Sequence, residues 1–237
     1  MAKTLNLLTH QSDLEALGAM HYFFDSAFPS GSYAHSFGFE TFAVGAKAGD
    51  KDAAIAWIEN YLIHSLWHGD LENIERITEL AEYRSPQSLE AVEESDALTH
   101  IARSTREGRR SARQLARSLN LAAVALFGEL FADQAKTSFL EPSTIVGLLA
   151  LHLGWPLPAT RLYYLQSQAL GATSVLVRHG RIGQFRQLEM MGTLRATALS
   201  LARSRPQTST SPTGAQCWQL EFDQIAHQHL SPRLFQS

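Results

Sequence analysis

A chain of 237 residues, 45% apolar and 18% charged, is long enough for one large or two small domains and has the composition of a protein with a sizeable core. Its formal net charge of -3 gives no global attraction to nucleic acid or an acidic membrane, and its single cysteine, Cys217, excludes an internal disulfide and suggests a reducing compartment. No secretory leader is recognisable, and the longest apolar run, Ile145 to Leu157, contains His152 and is too short to span a bilayer, so a cytoplasmic protein with no membrane partner is expected.

Taken in chain order, the first unusual segment is Pro29 to Glu40. It is polar and glycine-bearing, and it sits between the apolar runs Met20 to Phe28 and Phe39 to Val44. Helical periodicity dominates the chain beyond it. Ala54, Ile55, Ile58, Tyr61, Leu62 and Leu66 share a face after a start signal at Gly49-Asp50. Leu71, Ile74, Ile77 and Ala81 suggest a second helix beyond Gly69, closed by Pro86. Leu98, Ile101, Ala102, Thr105, Gly108, Ala112, Leu115, Ala116 and Leu119 read as one further helix, and its small middle face invites close approach by a neighbour. Ser143 is the expected cap of a helix that ends at Gly154-Trp155-Pro156. Residues 159–177 are apolar or small around the whole wheel, as in a central buried helix. A last helix is expected over 187–202 with Leu188, Met191, Ala198 and Leu199 inward.

Composition then changes at Arg205 to Gly214, a run of Pro, Ser, Thr and Gly. The predicted organisation is all-α: a single helical domain (1–203) of roughly seven to ten helices, a flexible linker (204–217) and a C-terminal docking tail (218–237). The tail regains Trp218, Leu220, Phe222, Ile225, Leu230, Leu234 and Phe235, so it is expected to bind either its own body or another chain.

No catalytic constellation emerges. His35-Ser36 lacks nucleophile-elbow context, no phosphate-binding loop is present, and Cys217 has no nearby base. His64 and His68 stand four apart without a third ligand, and His227 and His229 point apart on a helix. The acidic run from Asp70 to Asp96 and the arginines from Arg103 to Arg117 suggest two solvated faces that pair with each other. The alternative is a basic surface for an acidic protein partner; nucleic acid fits less well, because no aromatics interleave with the arginines. An interaction protein is expected rather than an enzyme.

The segment Asp25-Ser26-Ala27-Phe28-Pro29-Ser30-Gly31-Ser32-Tyr33-Ala34-His35-Ser36-Phe37-Gly38-Phe39-Glu40 resembles the N-terminal signature of the urease accessory protein UreF family. The ending, with His227 followed by Arg233-Leu234-Phe235-Gln236-Ser237, is similar to that family's closing pattern. Gly183-Gln184 and Arg106-Glu107-Gly108-Arg109 also resemble family features, whereas Leu140-Glu141-Pro142 and the stretch from Arg186 to Met191 depart from them. The resemblance implies an all-α homodimer without catalytic activity. It would join a UreD/UreH-type protein and the GTPase UreG so that apo-urease receives nickel. Nickel and GTP would belong to the partner complex, with no cofactor or metal held by this chain; the other reading is a helical protein holding nickel through His64 and His68 or His227 and His229. Carried over residue by residue, Arg233, Leu234, Phe235 and Ser237 would dock the UreD/UreH-type partner. Pro29, Gly31, Tyr33, His35, Ser36, Gly38 and Glu40 would face the GTPase or shape the dimer region. For His35, Ser36 and Glu40, internal bracing and partner contact both remain open.

Overall fold

The structure, a computed structural model, describes residues 11–29, 35–45, 47–81, 86–127, 139–206, 217–231 and 234–235. The described residues form an all-α fold with no strands: α1 (Gln11–Phe23), α2 (Phe39–Val44), α3 (Lys51–Asn60), a π-helical segment (Tyr61–Leu71), α4 (Glu72–Ala81), α5 (Pro86–Ala102), α6 (Arg106–Phe127), α7 (Pro142–His152), α8 (Leu157–Arg178), α9 (Gln184–Arg203) and α10 (Trp218–His227). Most of the expected linker, residues 207–216, lies outside the described residues.

Asp50 starts α3 as expected, its carboxylate accepting from the Asp52 and Ala53 amides at 3.0 and 3.3 Å. The chain does not break at Gly69. From Lys51 to Ala81 it is one continuous helical run whose middle winds as a π-helix. Buried residues there recur as Tyr61 and Leu62, Ser65 and Leu66, then Asp70 and Leu71, a spacing wider than an α-turn. That wider winding keeps Leu66 and Leu71 on the same face, which sequence periodicity reads as two helices.

Three more boundaries differ from the sequence reading. Pro86 opens α5 rather than closing α4, where its missing N–H costs nothing. The long helix predicted through Thr105 is two helices, broken at residues 103–105, and Leu98 and Ile101 are exposed. Ser143 does not cap α7: its hydroxyl accepts from Asn73 at 3.0 Å, while Asp96 of α5 receives the Leu140 and Glu141 amides at 2.8 and 3.1 Å. Burial nevertheless pushes the Asp96 carboxyl above its ordinary value, against the lowering effect of those bonds.

The α5–α6 break is built around Arg103. Its guanidinium spans Glu141, with Nη2 2.6 Å from Oε2, and Asp70, at 3.1 Å from Oδ1. His100 Nδ1 meets Glu141 at 2.8 Å and the Tyr164 hydroxyl donates to Asp70 at 2.6 Å. Glu72 pairs with Arg76, and Glu75 with Arg161 and Arg205. The acidic and basic runs therefore do not pair face to face; of the arginines from Arg103 to Arg117, Arg103 alone forms an ion pair with that acidic run among the described residues.

Helix α8 is central, packed against α9, α2, α1 and the π-helical segment, and Leu165, Ala169, Val175 and Leu176 are buried. On α9 the inward residues are Met190, Leu194, Ala198 and Ala202, one turn apart. Leu188, expected inward, is exposed, as is Phe185.

Candidate functional site

The chain reverses direction just before α2. Phe37 (φ 50°) and Gly38 (φ 91°) both adopt left-handed backbone, and the Ser36 carbonyl accepts the Phe39 amide at 2.9 Å. Glycine is required at 38 for a second reason. A Cβ there would lie 2.8 Å from Gln224 Cγ and 3.1 Å from the Gln224 nitrogen of α10. The turn thus brings the start of α2 directly onto α10.

Glu40, in the first turn of α2, is fully buried and binds the end of the chain. Its carboxylate accepts the Leu234 amide at 2.7 Å, the Phe235 amide at 3.3 Å, His227 Nε2 at 2.6 Å and His179 Nε2 at 3.1 Å. The other nitrogen of His227 faces Glu107 of α6 at 2.7 Å. His227 thus bridges two carboxylates, one from α2 and one from α6. Burial pushes the Glu40 carboxyl up, but the His227 bond and the two backbone amides outweigh it and hold it below its ordinary value. Phe235 is buried, its ring stacked against His179 at 5.9 Å between ring centres, and the Arg178 guanidinium carbon lies 3.9 Å from the centre of the phenyl ring.

Helix α10 joins the same arrangement. Its inner face carries Leu220, Asp223, Gln224 and His227. Asp223 accepts Trp57 Nε1 at 2.7 Å, its main-chain oxygen accepts the Thr41 hydroxyl at 2.7 Å, and Gln224 accepts the Thr105 hydroxyl. Gly108 on α6 faces Gln224 as well, so the small face anticipated on that helix does receive a neighbour. The opposite face of α10 exposes Trp218 (70%), Phe222 (65%) and Ile225 (50%), and Leu234 beyond it is 55% exposed. Four large apolar side chains are thus presented to solvent by a segment whose inner face is fixed by polar contacts.

The sequence-derived site residues fall into three groups. Glu40, Gly38, Leu234 and Phe235 meet in this arrangement. Pro29 is exposed, while His35 and Ser36 are buried on the wall of a cavity of about 340 Å³ that Trp57, Tyr61, Gln168 and Phe235 also line. Gly31, Tyr33, Arg233 and Ser237 lie outside the described residues. Sequence reasoning assigned no site role to Glu107, Arg178 and His179, and it named the ridge residues Trp218, Phe222 and Ile225 in the docking tail without separating them from the inward-facing residues of the same helix. The ridge had a usable signal, since its spacing of four and three is the complement of the buried Leu220, Gln224 and His227. His64 and His68 are exposed on the π-helical segment and His229 is exposed on the tail. Among the described residues no group of three or more His, Cys, Asp or Glu side chains is arranged to hold a metal.

The class defined by this geometry is an all-α protein whose N-terminal turn and C-terminal tail are tied together at one buried carboxylate, with an apolar helix face beside it. A family model described as UreF matches residues 48–195. Similar curated proteins include urease accessory protein UreF of Ureaplasma parvum serovar 3, 32% identical over 187 residues, covering 75% of this chain and 77% of that protein. Urease accessory protein UreF of Ureaplasma urealyticum serovar 10 is 33% identical over 167 residues, covering 66% and 68% respectively. The chain belongs to the UreF family, the urease accessory proteins. The family match begins after α2, so the Glu40 arrangement extends beyond it at both ends. No helix among the described residues is long and apolar enough to cross a membrane.

Proposed function

We propose that this chain is a non-catalytic adaptor in urease maturation: it joins a UreD/UreH-type protein and the GTPase UreG to apo-urease, and nickel passes as cargo of that assembly. The observation that carries this reading is the exposed ridge of Trp218, Phe222 and Ile225 on a helix pinned from behind. Exposed large apolar residues grouped on one face mark an interaction surface, and Trp is the residue most often dominant in such contacts. The pinning matters energetically, because a ridge already ordered on the body loses less conformational freedom on docking than a free tail would. Family membership gives this surface its context, and the UreD/UreH-type partner is its intended occupant. Arg233 and Ser237 extend the same docking segment.

Glu40 has a positioning role in this reading. It connects the N-terminal turn, proposed to face the GTPase, to the tail, proposed to face the UreD/UreH-type protein. Homodimerisation is assigned to the outer face of α9, where Phe185 and Leu188 are exposed. The site of action is the cytoplasm.

The test is urease maturation in cells in which this chain is replaced by Phe222→Asp/Ile225→Asp. Urease with little bound nickel and little activity, at normal levels of the variant, is the expected result. Fully nickel-loaded urease would overturn the proposal.

A further inference from the structure

The arginines of α6 separate into two sets. Arg109 turns back to the Arg103 and Ser104 carbonyls and closes the α5–α6 corner. Arg106, Arg110, Arg113 and Arg117 are all exposed. Arg113 approaches His100 Nε2 at 3.3 Å, and the guanidiniums of Arg106, Arg110 and Arg117 have no hydrogen-bond or ion-pair partner among the described residues. At 3.6 residues per turn the four fall within about 60° of arc and run about 17 Å along the helix. The opposite side of α6 is occupied: Gly108 faces α10, and Leu115, Ala116, Leu119 and Ala123 are in the core. Beyond Arg117 the row continues one turn further into exposed Leu121. A straight cationic row ending at Leu121 therefore stands on a chain whose net charge is -3, and of the nearby acidic residues Asp70, Glu72, Glu75 and Glu79 form ion pairs with arginines outside the row.

We infer that the outer face of α6 is a second docking surface, separate from the α10 ridge, and that its occupant is a carboxylate-bearing helix of a partner protein. Arginine favours planar two-point contact with carboxylates, and a row at helical spacing matches acidic residues on an antiparallel or parallel helix. Exposed Leu121 at the end of the row supplies the water-excluding contact that bare charges lack. Nucleic acid fits less well: the row carries no aromatic on which a base stacks, and the overall charge is negative.

The test uses the full chain and a fluorescent helical peptide bearing four glutamates on one face at the spacing of the arginines, with leucines at its ends. Binding is measured by anisotropy at about 150 mM salt. A scrambled peptide of the same composition, a DNA duplex and phosphatidylserine vesicles serve as competitors. The patterned peptide is expected to bind about tenfold tighter than the scrambled one. Arg110→Glu/Arg117→Glu should lose about tenfold or more. Arg110→Gln/Arg117→Gln should lose less, and Lys47→Glu/Arg203→Glu, on other faces, should lose nothing. All variants should unfold at the wild-type temperature. Equal binding of the scrambled peptide, no binding at all, or tighter binding to DNA or vesicles would each overturn the inference. Loss of the α10 ridge should leave this binding intact, so the two surfaces can fail separately.

Discussion

Replacing Glu40 by alanine should release the end of the chain while leaving the helical body folded. In the wild type the carboxylate satisfies two backbone amides, Leu234 and Phe235, and two histidine nitrogens in a fully buried position. If the tail stayed docked in the variant, the two amides alone would cost about 2–6 kcal/mol as buried donors without acceptors. Release forfeits about 1.5–3 kcal/mol from burial of the Phe235 ring. It returns backbone freedom of about 1–2 kcal/mol per freed residue. Release is therefore the favoured outcome. Helix α10 should stay in place through Leu220 and the Asp223–Trp57 bond, which do not involve Glu40. Hydrogen exchange read by mass spectrometry on peptides covering 218–227 and 228–237 separates the two segments. Exchange of the Leu234 and Phe235 amides should accelerate by about tenfold or more, with α10 amides little changed. Unchanged exchange at Leu234 and Phe235 would mean that Glu40 does not hold the tail.

Acid should do what the substitution does. Glu40 is held below its ordinary value of 4.5, so its contribution is complete above that value and is lost as pH falls through the depressed folded value. Tail exchange, corrected for intrinsic rate, should stay flat down to about pH 5 and rise below about pH 4; a tail that opens between neutrality and pH 5 would contradict this. Gly38→Ala combines a left-handed backbone with a clash against the Gln224 backbone, whereas in Gly108→Ala the close atoms are the ends of the Gln224 and Thr105 side chains. The first should destabilise by about 1–3 kcal/mol and the second by less, as read from urea midpoints. Arg103→Met leaves Asp70 and Glu141 buried with no guanidinium between them and should cost about 3–5 kcal/mol, or very roughly 6–20 °C in melting temperature. The proposed α9 dimer predicts a dimeric wild type and a monomeric Phe185→Asp/Leu188→Asp variant of unchanged helix content in light scattering; a monomeric wild type or a dimeric variant would contradict it.

The helical architecture was legible because residues such as Ile58, Leu62 and Leu66 repeat at about the helical period and are buried. Sequence reading slipped where winding or distant partners override the local pattern. Gly69 suggested a break, but π-winding continued the helix through it. Ser143 had the chemistry of a cap, yet Asp96, 47 residues earlier, took the backbone amides entering α7, and Ser143 turned to Asn73. Glu40 was singled out from the segment around it, but its partners lie as far as 195 residues away, and no local pattern reveals that separation. The ridge on α10 was hidden differently: Trp218 and Phe222 look like core until Leu220 and Gln224 are known to face inward.

In the proposed assembly the α10 ridge recruits the UreD/UreH-type partner. The direct test is the dissociation constant of that partner for the full-length chain and for Phe222→Asp/Ile225→Asp, measured by biolayer interferometry alongside thermal unfolding. Loss of about a hundredfold or more in affinity, about 2.7 kcal/mol, with an unchanged melting temperature is the predicted result. Wild-type affinity in the ridge variant would contradict it.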